Sequence, residues 1–220
     1  MREKYVEQLK GLKEDFITLY EIAKKTTELI QYSFEETKID DILQIQRKSK
    51  KLDWNVRELG LQIEENCIRI LSTQQPLAKD LRLIFTILKS VTDFQRITRD
   101  SFHALEMLAD FLPLKDSEYC QLIKQITESV EFMMDTIADA IKINATLDAE
   151  MLSKADTVID KNYETIICSL ENEFKQGTLT FKQVLALGHL ARYLERVGDH
   201  ICNIGERWYY TIRGKKISIK

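Results

Sequence analysis

Apolar residues return at alternating steps of three and four through most of the chain, the spacing that lines one face of an α-helix. The clearest seam is Leu187, Leu190, Leu194, Val197, Ile201, Ile204 and Trp208. Beside it lie the small residues Ala191, Gly198, Cys202 and Gly205, and beside those a polar row, Glu195, Asp199, Asn203 and Glu206. The carboxylates therefore flank the buried face instead of opposing it. Glu195 and Asp199, four apart, project from the same side. Read this way, the chain predicts six helices. They cover about 3–32, 40–72 (with Asp40 or Asp41 as N-cap), 76–112 (with Pro76 in the first turn), 116–145 and 148–176, closed by Gly177, with the sixth running from after Thr180 to near Gly214. Each would be about 45 Å long at 1.5 Å per residue. The basic tail, residues 215–220, is expected to be loose.

The pattern repeats. The second helix has the seam Ile45, Ser49, Leu52, Val56, Leu59, Ile63, and the fifth has Leu152, Asp156, Ile159, Tyr163, Ile166, Leu170. Both break the apolar seam at the same place, Ser49 against Asp156, and Asp53 matches Asp160 one turn on. The third helix matches the sixth through Phe94, Ile97, Ala104 and Leu108 against Leu194, Val197, Ile204 and Trp208. An internal duplication of this kind predicts an all-α protein of two tandem, pseudo-symmetric, antiparallel three-helix bundles. The halves would be residues 1–113 and 114–220. A junction at 113–115 is too short for a flexible linker, so the halves should pack together.

Composition narrows the function classes. Seven Gly and two Pro in 220 residues suit long helices, and a net charge of −3 gives no nucleic-acid footprint. The opening MREKYVEQLK has no apolar signal core, and apolar runs such as residues 83–88 are far too short to span a bilayer. A soluble, cytoplasmic protein is expected. Cys67, Cys120, Cys168 and Cys202 form no CxxC pair and read as reduced, small, buried residues.

Asp156 is the most informative residue, because a carboxylate in an apolar seam is costly unless paired or metal-bound. If the fifth and sixth helices meet at mid-length, Asp156, Asp160, Glu195 and Asp199 face one another as an oxygen-only, hard-ligand metal site. The same acids also suit ion pairing, since Arg192 and Arg196 are spaced to reach Glu195 and Asp199. In the first half the acids are replaced by Gln95, Arg99 and Ser49. Asp53 remains, with Asp93 and Asp100 as neighbours, and Arg99 is placed to neutralise Asp53 or Asp93. That site is expected to be lost. His103 lacks the paired Glu-x-x-His of di-iron bundles. His189 is expected near the packed face and His200 in solvent. The seven-residue repeat of Ala191, Gly198 and Gly205 predicts close helix–helix approach.

The stretches QQPLAKDLRLIFTILKSVTDFQRI and LARYLERVGDHICNIGERWYYTIRGK resemble the two signature segments of the PhoU family of phosphate-transport regulators. The second keeps that family's E-R-[IV]-G-D core as Glu195-Arg196-Val197-Gly198-Asp199. The resemblance implies metal motifs at Asp156-x-x-x-Asp160 and Glu195-x-x-x-Asp199, holding iron, zinc, magnesium or a similar ion. It further implies a homodimer acting at the cytoplasmic face of the membrane. The implied partners are the ATPase subunit of a phosphate ABC transporter and a sensor histidine kinase. On this reading the chain is a non-enzymatic regulator of phosphate uptake and starvation signalling. The rivals are a di-metal carboxylate enzyme and a metal-free helical adaptor.

Overall fold

The computed structural model describes residues 2–34, 38–111 and 117–219. Among them run six helices, α1 (Arg2–Ser33), α2 (Ile39–Gln74), α3 (Ala78–Phe111), α4 (Glu118–Lys142), α5 (Ala149–Gln176) and α6 (Phe181–Arg213). Local chemistry explains several ends. Asp148 caps α5 by accepting from the Glu150 and Met151 N–H groups, and Gly177 closes that helix at φ 71°. Thr180 and Gln183 satisfy each other's backbone donors in a capping box that starts α6. Gly214, at φ 69°, ends it.

Two expected starts shift. The N-cap of α2 is Lys38, so Asp40 and Asp41 fall in the first turn, where their charges favour the helix dipole. Pro76 precedes α3 instead of sitting in its first turn. The residue before a proline is barred from the right-handed helical region, and Gln75 takes a left-handed conformation, φ 45°, that ends α2. Ala78, at φ 47°, delays the next helix. The expected end of α3 at Leu112 and the junction at 113–115 lie outside the described residues.

Helices α1, α2 and α3 pack on one another, and α4, α5 and α6 do the same. The two bundles join through equivalent helices, α1 on α4 and, most extensively, α3 on α6. That pairing is what an internal duplication with a pseudo-two-fold relation produces. A single core runs through both halves, from Leu12 and Phe16 to Ile201 and Trp208. Phe94 of α3 meets Phe16 and Tyr20 of α1 edge to face, with ring centroids 5.6 and 6.3 Å apart.

Small residues set the approach of neighbouring helices. A Cβ on Gly198 would lie 2.9 Å from Ile159 Cδ1, and one on Gly205 would lie 2.8 Å from Leu152 Cδ1. In the first half, Gly60 makes the matching slot for Val91 and Gln95. The tail is not loose as expected. It turns at Gly214 and folds back, burying Ile219 to 4% exposure, while the Ile219 N–H donates to Glu206 at 2.9 Å. A hydrophobic anchor and a satisfied backbone donor outweigh the basic character of the segment. Cys67, Cys120 and Cys202 are buried, but Cys168 is exposed on the outer face of α5.

Candidate functional site

The acidic set predicted from sequence spans the α5–α6 contact. Asp156 is buried, and its Oδ1 lies 3.4 Å from where a Gly198 Cβ would stand. Burial pushes the pKa of the neighbouring Cys202 thiol up, and the Asp156 carboxylate adds to the effect, with Glu206 and Asp160 contributing further. Glu195, half-buried, accepts from Arg192 Nη1 at 2.8 Å, which is the ion pair its spacing allowed. Asp160 and Asp199 are half-buried on the same contact. The four residues thus share the predicted pair of helices, but they do not form one ligand set. Among the described residues no three His, Cys, Asp or Glu side chains converge in a way that could hold a metal ion.

The more elaborate polar construction lies where α3 meets α6, between the halves. Asp93 of α3 is 3% exposed. One of its oxygens meets His200 Nδ1 at 3.1 Å and Asn203 Nδ2 at 3.5 Å, and the other accepts from Arg207. Two turns on, buried Asp100 pairs with Arg196 Nε at 3.2 Å and lies 4.0 Å from His200 Nε2. Burial holds the His200 pKa down to about 4, against the pull of the Asp100 charge and with the push of Arg96 and Arg196. The ring is therefore neutral near pH 7, and its contact with the Asp93 carboxylate assigns the proton to Nδ1. Burial raises the Asp100 pKa, an effect opposed chiefly by Arg196 and His200. Further along, Thr211 donates to Thr86 at 2.7 Å, and Thr86 donates to the Arg207 carbonyl at 3.1 Å. Two first-half carboxylates, Asp93 and Asp100, thus face second-half cations and donors across the contact.

This arrangement corrects several expectations. His200 is 8% exposed, not in solvent, because α6 buries a second face against α3. His189, expected near the packed face, is exposed. Arg196 crosses to Asp100 of α3, a partner its spacing along α6 did not indicate. Asp53 is neutralised by Arg57 at 2.8 Å and accepts from Thr98 at 3.1 Å, so the guanidinium expected from Arg99 comes from its own helix. Arg99 itself is exposed. His103 contacts Glu106 at 2.8 Å and lies against Tyr193, an exposed arrangement. Chemically, the seam offers matched charges and a neutral imidazole. Its charged groups pair across the two helices, which suits fixing an inter-bundle angle better than activating a substrate.

Comparison with known proteins places these features in a family. The PhoU domain model matches residues 16–108 and again residues 123–208. A phosphate-specific transport system accessory protein PhoU homolog of Pseudomonas putida is 29% identical over 175 residues, 76% of this chain and 66% of that protein. This chain therefore spans about two thirds of that relative's length. Its Pseudomonas aeruginosa counterpart is 30% identical over 173 residues, 76% of this chain and 70% of that one. In fold, the crystal structure of PhoU from Pseudomonas aeruginosa superposes with a TM-score of 0.84 at 24% identity, covering 96% of this chain and 100% of that one. The phosphate transport system regulatory protein PhoU from Streptococcus pneumoniae gives 0.82 at 19%, covering 97% and 99%.

Proposed function

The chain belongs to the PhoU family, and from that membership we propose that it is an accessory protein of a phosphate-specific transport system that acts by protein contact, not catalysis. The observation that carries this reading is the double family match, one copy on each side of the α3–α6 contact. The matched relatives are named as accessory proteins, not enzymes, which weighs against the di-metal enzyme. No described helix is long and apolar enough to cross a membrane. The proposed setting is the cytoplasmic face, with the transporter's ATPase subunit and a sensor histidine kinase as partners and a homodimer as the working form. The output is restraint of uptake and of starvation signalling.

Within that reading, two forms are separable. In the first, a metal held by Asp156, Asp160, Glu195 and Asp199 supports the binding surface. In the second, the protein is a metal-free helical adaptor. Elemental analysis of protein purified without a His tag separates them. The first form predicts bound metal that is lost in the Asp156→Ala, Asp160→Ala double variant together with thermal stability. The second predicts negligible metal and a melting temperature indifferent to chelator.

The reading as a whole is tested by affinity purification of the tagged chain from its host's detergent-solubilised membranes. Enrichment of the phosphate transporter is expected. Enrichment of unrelated proteins only would overturn it.

A further inference from the structure

The α3–α6 pair is antiparallel, with Asp100 beside Arg196 at one end and Arg82 beside Thr211 at the other. At the second end, next to the returning tail, the helices leave a half-open cleft of about 660 Å³. Its apolar lining comes from Leu81, Phe85, Tyr210 and Ile217. Leu81 and Phe85, one turn apart on α3, are 43% and 48% exposed, and Leu77, just before the helix, is 81% exposed. Large apolar side chains one turn apart and open to solvent are the usual mark of a surface that meets a partner.

The charges of this cleft are mostly positive. Of the charged residues lining it, Arg207 is committed to Asp93, and Glu206 accepts the Ile219 N–H. That leaves Arg82, Lys89 and Lys216, and among the described residues no carboxylate lies within ion-pairing distance of any of them. Two of the three are held in place, Arg82 through Nε to the Thr211 carbonyl at 3.5 Å, and Lys89 with Nζ 6.0 Å from the centre of the Phe85 ring. The result is a net-positive, apolar cleft on a chain whose net charge is −3.

We propose that this cleft docks an acidic, amphipathic helix from a partner protein. The proposal rests on the reading of the chain as an accessory protein that works by contact. Charge complementarity and spacing decide the occupant. Arg82 and Lys89 are seven residues apart, about 10 Å along α3, a spread of charge that matches an extended acidic flank better than a single small anion. A helix with apolar anchors at i, i+4 and i+7 and acids on its flank satisfies the walls and the cations together. The concave shape disfavours a flat membrane surface. The apolar walls and the acidic remainder of the chain disfavour nucleic acid.

The test uses the full chain and a fluorescein-labelled peptide of five helical turns, about 18 residues, with Leu and Phe on one face and Glu on the flanks. A sister peptide carries Lys in place of Glu. Fluorescence anisotropy is expected to show the acidic peptide binding about tenfold or more tightly than the basic one. Phe85→Glu, and separately Lys89→Glu with Lys216→Glu, should each weaken binding about tenfold, with circular dichroism and melting temperature unchanged. Equal affinity for the two peptides, no effect of the variants, or preference for phosphatidylglycerol vesicles or single-stranded DNA would overturn the proposal. In the same host purification, a Phe85→Glu chain that retains the transporter removes the cleft's role and leaves the accessory reading intact. A wild-type chain that binds the acidic peptide but not the transporter does the reverse.

Discussion

Asp93 is a first-half carboxylate whose partners, His200, Asn203 and Arg207, all come from the second half. Replacing it with Ala leaves a half-buried guanidinium and a buried imidazole without their acceptor. The expected loss is about 3–5 kcal/mol, read as a lower urea midpoint, because removing one partner of a buried ion pair costs more than the pair contributes. Asp93→Asn, which keeps an acceptor oxygen, should lose less. The cluster was only partly legible in the sequence. Asp93 and Asp100 were marked only as neighbours of Asp53, and periodicity assigned α6 a single buried face and put His200 outside it. A helix that serves two neighbours buries residues on both sides of its seam, as Gly198, His200 and Cys202 do here. One-dimensional patterning does not separate the second face from a polar flank. The partner of Asp53 was missed for a related reason. Arg57 lies on the same helix, four residues on, and local pairing takes precedence over a longer reach from α3.

The helices themselves were well marked, since α5 and α6 begin and end at residues with a clear chemical reason to be there. The starts of α2 and α3 were less so, because Lys38 provides no side-chain cap and two left-handed residues surround Pro76. Glycines within the helices serve two different ends, and their substitution separates them. Around Gly11 of α1, a Cβ would meet nothing within 4 Å. Gly11→Ala should therefore stabilise the protein by about 0.5–1 kcal/mol. Gly198→Val brings a branched side chain against Ile159 and Asp156 and should cost about 1–3 kcal/mol. Thermal denaturation of the pair checks both signs. If Gly198→Val were neutral, the close approach of α5 and α6 would not be what the small residues are for.

At the scale of the whole molecule, the duplicated pattern correctly implied two three-helix bundles that pack together. Periodicity alone did not reveal which helices would meet, because the exposed flank of one isolated bundle becomes the interior once α3 lies on α6. With one core passing through both halves, unfolding should be a single transition with equal calorimetric and van't Hoff enthalpies. Two resolved transitions would mean that the halves are independent bundles resting on each other. The same continuity gives the accessory role a physical basis, since anything bound near α3–α6 acts on both copies of the repeat at once. The central claim is that the chain governs phosphate uptake through contact with its transport system. It is tested most directly by deleting the gene in the host and measuring labelled phosphate uptake in phosphate-replete medium. The account predicts uptake above that of the parent, returned to the parental rate when the chain is supplied from a plasmid. Uptake identical with and without the chain would contradict it.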